Sequence, residues 1–396
     1  MPRVLVAGAG PSGATAALML ARQGIPVTLI ERHEKPFEDP RAATIHPPTL
    51  ELYAESGVTE ALLARGIVAP IWHFRGRAEG VVAAFDLGVL ADETPYPFRL
   101  QCEQHKLVAI LLEKLAAFPH AELRWGETIE DVTQDADGVT ARLASGEELR
   151  GAWIVGADGG RSVVRKSQGI GFEGFTYPER FLVVTTTHDF ARDGYAVTNY
   201  VSDPDAWCAL FNVPGDGPPG RWRVTSAADP EAGEAELLDH AAARQRLERF
   251  FPGKGPFEVI HTNLYVVHQR VAGTFRQGRV LLAGDAAHVN NPLGGMGMNF
   301  GVHDAMNLAE KLGLVWRGEA DDSLLDRFDR QRRHVAQAFL QAMTIANKQT
   351  LEERDPGKRA ERLALMRETG RDRDRMRAYL MKTSMIEGFR AAAAIS

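Results

Sequence analysis

Three glycines at the spacing Gly8-x-Gly10-x-x-Gly13 constrain the fold of this chain more than any other feature. Residues 3–7 (Arg-Val-Leu-Val-Ala) predict a short buried strand of a parallel sheet. Ala14 to Gln23 predicts a helix, closed by Gly24 as its C-terminal cap. Val27 to Ile30 predicts a second strand, ending on Glu31. Together these make a βαβ unit of about 30 residues, the size such a unit requires. Here Gly8 permits the tight turn, Gly10 lets the backbone approach a pyrophosphate, and Gly13 lets the helix pack close to the sheet. The helix N-terminus offers N–H groups to the phosphates. Glu31 stands where a carboxylate accepts the ribose hydroxyls; Ser12 and Arg32 complete the local candidate set. A chance glycine turn is the competing reading, and the flanking strand, helix and acid speak against it. An acid on the ribose disfavours a 2′-phosphate, which leaves FAD or NAD rather than NADP.

Composition narrows the class. The chain has 396 residues, 44% hydrophobic and 25% charged, the profile of a soluble globular protein of two or three domains. The formal net charge of −6 argues against a nucleic-acid binder. No basic amphipathic face suggests a membrane surface, and no apolar stretch reaches transmembrane length. Cys102 and Cys208 are the only cysteines, which excludes a disulfide framework and points to the cytoplasm. No Cys/His cluster has metal-ligand spacing. Met1 to Gly13 is apolar behind Arg3 but too short for a signal peptide.

Further along, a helix is predicted at Lys106–Phe118 and a hairpin through Leu123–Trp125 and Val139–Leu143, with a turn at Asp137-Gly138. Strands are predicted at Trp153–Gly156, Phe181–Thr187, Val197–Val201, Cys208–Val213, Trp222–Ser226 and Arg279–Gly284. A helix is expected over Glu234–Phe250 and a long one from Met298 to Trp316. From Ser323 the chain reads as helical and charged, with breaks at Asp355-Pro356-Gly357 and Gly370, and the run Arg371–Arg377 as a solvated helical face.

Two more motifs follow predicted strands: Gly156-Ala157-Asp158-Gly159-Gly160-Arg161-Ser162, and Gly284-Asp285-Ala286-Ala287-His288 continuing through Asn291-Pro292-Leu293-Gly294-Gly295-Met296-Gly297-Met298-Asn299. Alone, either Asp-Gly or Gly-Asp reads as an ordinary turn. With the first motif, Arg41-Ala42, Gln104-x-x-Leu107 and His303-Asp304-Ala305-x-Asn307-Leu308, they give a chain that resembles the class A flavoprotein monooxygenases, the aromatic hydroxylases of the para-hydroxybenzoate hydroxylase fold. The resemblance runs from Val4 to about residue 390.

It implies an α/β architecture: a Rossmann-like FAD-binding domain, an inserted and mostly antiparallel β-sheet substrate domain, and a helical C-terminal segment. FAD-binding parts are expected at 1–71, 101–178 and 268–322, substrate-domain parts at 72–100 and 179–267, and the helical segment at 323–396. There is no room for the thioredoxin-like third domain of the larger phenol hydroxylases. The resemblance also implies non-covalent FAD, with Gly8, Gly10 and Gly13 at the pyrophosphate and Glu31 at the adenosine ribose. Arg41 and Gln104 then lie along the ribityl and phosphate chain, with Asp285 nearby. Asp158 stands near FAD and the pyridine-nucleotide path. Met298 and Asn299 offer backbone N–H groups at the flavin pyrimidine edge, where a helix N-terminus favours the anionic reduced flavin. Gly294, Gly295 and Gly297 let the backbone come close. Pro292 either places a carbonyl beside the reacting ring or forms a rigid turn. His288 is read as holding the loop, and Asp304 and Asn307 as packing and capping groups.

The implied reaction uses NADH or NADPH and O2 to hydroxylate a small phenolic or heteroaromatic substrate through a flavin C4a-hydroperoxide, the cofactor performing the hard chemistry. No second GxGxxG unit is present for the nicotinamide nucleotide. His46 is the first candidate for a base that ionises a phenol, with a packing histidine as the alternative. Asn199, Tyr200, Trp207, Phe211 and Asn212 are candidates for the pocket floor, though alternation does not tell which face inward. A homodimer is compatible with all of this. The alternatives are the same scaffold acting on a larger polyketide or antibiotic, a non-oxygenating FAD reductase, and a flavin-holding sensor. The halogenase signature Trp-x-Trp-x-Ile-Pro is absent.

Overall fold

The computed structural model describes residues 2–36 and 42–396. The N-terminal unit forms as the glycine spacing predicts: strand Val4–Ala7, helix Pro11–Arg22 and strand Val27–Glu31. The helix starts earlier than the alanine run because Pro11 has its φ preset for the first helical position. Its buried Ala14, Ala16, Ala17 and Ala21 let it lie close to the sheet.

These strands belong to a six-stranded sheet in the order 276–277, 280–282, 153–156, 4–7, 27–31, 121–125, parallel except for the pair at 276–277 and 280–282. Ala7 lies beside Gly156, and Gly156 beside Leu282. The carboxyl ends of three adjacent strands therefore open together, and each runs into one of the three glycine-bearing motifs. That is the crevice at which open α/β sheets bind ligands.

A second, eight-stranded sheet has the order 288–289, 259–272, 172–186, 221–227, 208–213, 198–202, 71–76, 80–86. It is antiparallel except where 198–202 runs parallel to 71–76. Residues 71–86 thus join the same sheet as residues 172–272, although far apart in sequence. The long strands Phe172–Thr186 and Val259–Ala272 pass through the expected boundaries at 178/179 and 267/268 as one paired ribbon. One face of this sheet packs Trp72, Phe85 and Tyr200 against Leu351, Leu363, Met376 and Leu380 of the C-terminal helices. The other packs Leu182, Leu210 and Trp222 against Leu237, Leu247 and Phe250.

Several local readings are corrected. Ala121–Trp125 does not form a hairpin with Val139–Leu143; it extends the parallel sheet beside Val27–Glu31. The hairpin is Ile129–Gln134 with Val139–Leu143. Asp135 makes its turn, its Oδ1 accepting from the Asp137 and Gly138 N–H groups at 2.8 and 2.9 Å. The helix expected over Glu234–Phe250 is two, divided where Asp239 caps the second through the Ala242 N–H. Gly370 does not stop a helix: Pro356–Arg371 continues through it. A Cβ at Gly370 would lie 2.7 Å from the Ala83 Cβ, so the glycine serves close helix–sheet packing. Arg377 of the basic run is tied to Asp92 and Glu93 and to the Val89 carbonyl, so that end of the run is docked on the protein. Among the described residues no helix is long and apolar enough to cross a membrane.

Candidate active site

The crevice fits a dinucleotide pyrophosphate. Gly8 has φ +95°, and a Cβ there would lie 2.5 Å from the Ala157 carbonyl oxygen of the neighbouring motif. A Cβ at Gly13 would lie 1.8 Å from the Gly8 carbonyl oxygen, whereas one at Gly10 meets nothing within 4 Å among the described residues. Gly8 and Gly13 thus serve protein packing, and Gly10 faces the open side. No side chain among the described residues caps the helix at Gly10, which leaves first-turn N–H groups to a ligand. Glu31 closes the loop: its carboxylate accepts from the Ala9 N–H at 2.8 Å and the His33 N–H at 3.1 Å. A carboxylate has about four lone-pair sites, so acceptor capacity for ribose hydroxyls remains. Arg32 and Asp285 are exposed and Gln104 is half-buried at the start of helix Gln104–Leu115. Ser12 turns its hydroxyl inward, where a Cβ at either Gly284 or Gly301 would lie 2.3 Å from it. Arg41 lies outside the described residues.

Buried polar links hold the three motifs together, and sequence patterning missed most of them. Arg165 donates to the Ala286 carbonyl at 2.9 Å and the Gly160 carbonyl at 3.0 Å, joining the second motif to the third. Asp158 accepts from the Val163 and Val164 N–H groups at 2.7 and 3.1 Å, so one of its oxygens holds the loop. Burial pushes its carboxyl pKa up. The fully buried Asp304 accepts from the Gly284 N–H (3.0 Å), His288 Nε2 (2.7 Å) and Arg332 Nε (2.7 Å). This is the loop-holding role expected of His288.

The glycine-rich loop meets the helix Gly297–Trp316, whose N-terminus has no side-chain cap among the described residues, so the Met298 and Asn299 N–H groups are available. The Asn299 side chain is a staple. It accepts from the His46 N–H (3.0 Å) and Thr49 hydroxyl (2.7 Å), and donates to the Thr44 and Gly295 carbonyls (2.8 Å each). The Pro292 carbonyl accepts from the Gly295 N–H at 3.0 Å, so a turn forms here while one of its two lone pairs stays unused by that bond. The C-terminal helices hold this loop from behind: Asn347 donates to the Leu293 carbonyl at 3.1 Å and Gln341 to the Val289 carbonyl at 3.1 Å. Gly295 has φ +66°, and a Cβ there would lie 2.6 Å from the Thr44 Cβ. Gly295→Val should therefore displace the loop. The expected result is FAD binding weakened by at least about tenfold, from strain of roughly 1–3 kcal/mol. Titration of the apoprotein with FAD checks this, and unchanged affinity would remove Gly295 from the site.

His46 is corrected as a base of ordinary strength. It is fully buried, and its Nε2 donates to the Gly294 carbonyl at 2.9 Å. Burial first, then the Arg99 charge, push its pKa down to about 3, far from the near-neutral value a general base needs. His303 donates from Nε2 to Thr49 at 2.9 Å; burial and the Arg332 charge likewise take its pKa to about 3. The unfolded chain protonates both imidazoles near their ordinary value of 6.5, while the folded chain leaves them neutral. Their contribution to stability is complete above that pH and is lost as pH falls toward 3. The slope is roughly 1.4 kcal/mol per pH unit for each histidine. Urea midpoints measured between pH 7 and 5 should fall accordingly, and less steeply in His303→Gln.

In the eight-stranded sheet, Tyr200 and Phe211 share a face, since Thr198 pairs with Phe211 and Tyr200 with Ala209. Their rings meet edge-on at 5.9 Å. Asn212 and Asn199 are turned to the opposite face by the same alternation, which removes them from the pocket floor. Asn199 instead donates to the Ala196 carbonyl at 2.5 Å, and Asn212 sits over Gly220. Trp207 packs edge-on against Phe181 and borders an open cleft of about 940 Å³ with Glu179, Arg246 and Lys348. What patterning missed is the wall formed by Trp72, Arg99 and Tyr379. Trp72 stacks on Phe85 at 4.3 Å, meets Tyr200 edge-on at 5.5 Å and lies 6.2 Å from Tyr379. Arg99 places its guanidinium 5.1 Å from the Trp72 ring centre.

Comparison with known proteins agrees with this geometry. The FAD binding domain family model matches residues 1–343. The chain is 35% identical over 393 residues to para-nitrophenol 4-monooxygenase of a Pseudomonas species, covering 98% of this chain and 96% of that one. It is 32% identical over 396 residues to 6-hydroxy-3-succinoylpyridine 3-monooxygenase of Pseudomonas putida, covering 98% of each. The crystal structure of p-nitrophenol 4-monooxygenase from Pseudomonas putida superposes with a TM-score of 0.92 at 35% identity, covering 98% of both chains. The chain thus belongs to the class A flavoprotein monooxygenases with the FAD binding domain, and it is an FAD-dependent aromatic hydroxylase.

Proposed function

We propose that this enzyme hydroxylates a small phenolic ring, consuming NAD(P)H and O2 with non-covalent FAD. The observation that carries the reading is the adjacency of two features: the glycine loop at Gly294–Asn299 and the buried wall of Trp72, Tyr200 and Phe211. His46 links them, since it bonds the Gly294 carbonyl and feels the charge of Arg99. Bound FAD supplies hydride acceptance and oxygen activation. The chain would supply orientation and dryness: the first-turn N–H groups of helix Gly297–Trp316 would hold the flavin pyrimidine edge, and the aromatic wall would keep water from the reacting ring. The names of the two relatives, a nitrophenol and a hydroxypyridine monooxygenase, support a small hydroxylated ring as substrate.

His46 holds the Gly294 carbonyl and so positions the loop; it does not collect the phenolic proton. The FAD-loaded protein is to be tested with a panel of phenols and hydroxypyridines for stimulated NAD(P)H oxidation, O2 uptake and a product one oxygen heavier. A protein that takes up FAD but is stimulated by no member of the panel would overturn the reading. His46→Asn should change FAD affinity and loop order more than the pH dependence of turnover.

A further inference from the structure

Arg99 starts the short strand Arg99–Gln101 and is 2% exposed. Among the described residues, neither its Nε nor its Nη1 has an acceptor and no carboxylate pairs with it. The other two deeply buried arginines at this site are built differently. Arg332 is paired with Asp304, and Arg165 donates to two carbonyls. A buried cation without a partner is costly, because the interior repays its lost hydration only through a counter-charge and hydrogen bonds. Around it, His46 Nδ1 and Trp72 Nε1 are buried with no hydrogen-bond partner among the described residues, and the buried Tyr200 hydroxyl lies beside the guanidinium. Trp72 and Tyr200 meet at 5.5 Å, and Trp72 lies 5.1 Å from the guanidinium. His46, through its other nitrogen, holds the Gly294 carbonyl of the loop that fits the flavin.

A cation, several unmet hydrogen-bonding groups and aromatic faces describe one class of ligand: a planar aromatic anion whose oxygen meets the guanidinium. Arginine's fork suits oxyanions, and its face suits stacked rings. We propose that Arg99 binds the phenolic oxygen of the substrate as its phenolate, so that a fixed positive charge replaces a general base. This rests on the reading of the chain as a phenol hydroxylase. The O–H bond breaks, its electron pair stays on oxygen, and the proton passes to solvent; no oxidant or reductant enters the step. A phenolate ring is the more electron-rich, which is what oxygen transfer to carbon requires. The titratable groups facing Arg99 stay neutral around neutral pH: His46 is pushed down to about 3, Tyr379 up to about 12, and burial also raises Tyr200. The ligand is then the group that titrates.

The test uses FAD-loaded protein and 4-nitrophenol, whose phenolate has its own visible band, with 4-nitroanisole as the analogue that does not ionise. Below the phenol's own pKa, the difference spectrum of bound nitrophenol should show the phenolate band, and nitroanisole should bind at least about a hundredfold more weakly. Arg99→Gln should weaken nitrophenol binding on the order of a hundredfold, the scale for removing one partner of a buried charge pair. Arg99→Lys should restore part of it, and both variants should retain FAD. Ligand-free Arg99→Met should melt no lower than the parent, because an unpaired charge is removed, whereas a structural arginine such as Arg332 should melt lower when so replaced. Nitrophenol bound as the neutral phenol, or bound equally well by Arg99→Gln, would overturn the proposal. If the parent still hydroxylates phenols in that case, the functional reading stands; if it hydroxylates none, that reading fails separately.

Discussion

Asp304→Asn should destabilise the protein by about 3–5 kcal/mol, the usual range when one partner of a buried ion pair is removed. Asp304 is fully buried and neutralises Arg332 while accepting from His288 and the Gly284 N–H. Asparagine keeps the shape but loses the charge, leaving the Arg332 guanidinium buried without a counter-ion. Its pKa, held down to about 2 by His288 and Arg332 against the effect of burial, adds a pH signature. A carboxylate with a depressed folded pKa contributes stability that is complete above its ordinary value of 3.8. That contribution, on the order of 2 kcal/mol, is lost as pH falls through 2. Chemical denaturation at neutral pH should show the loss. A variant as stable as the parent would mean that Arg332 finds another partner and that the third motif is not anchored through this acid.

The second large effect separates two glycines of one motif. Gly13→Val has no room, since its first carbon would lie 1.8 Å from a backbone oxygen. The helix Pro11–Arg22 must then leave the sheet, and the expected outcome is insoluble or unfolded protein. A Cβ at Gly10 meets nothing within 4 Å among the described residues, so Gly10→Val should fold with near-normal stability. It should nonetheless lose FAD by at least about a hundredfold, because the side chain stands where the backbone must approach the pyrophosphate. Circular dichroism and flavin content of the two purified variants check both halves. A yellow Gly10→Val protein with normal affinity would place the pyrophosphate elsewhere.

Much of the cofactor crevice was legible because its determinants are local. A strand, three glycines, a helix and an acid sit within Val4–Glu31, and each acts through its own backbone. The hairpin was misread because alternation tells that a strand exists, not which strand it pairs with; Ala121–Trp125 found the parallel sheet instead. Gly370 was misread as a stop because a glycine looks the same in sequence whether it ends a helix or lets one press on Ala83.

The βαβ unit, the three motifs after strands and the long helix behind the third are written locally in the chain, since they follow from hydrophobic period and from positions such as Gly8 and Gly13 where a side chain has no room. The rest of the site depends on long-range packing. Arg99, Trp72, Tyr200, Tyr379 and His46 come from separate segments that meet only when both sheets and the C-terminal helices have packed. Whether an arginine is paired is also a tertiary matter. Arg332 finds Asp304 across 28 residues and Arg99 finds no carboxylate among the described residues, a difference that no spacing in the chain records. The strength of His46 as a base was settled the same way: its pKa is set by burial and by the nearby guanidinium, and both arise from contacts between distant parts of the chain.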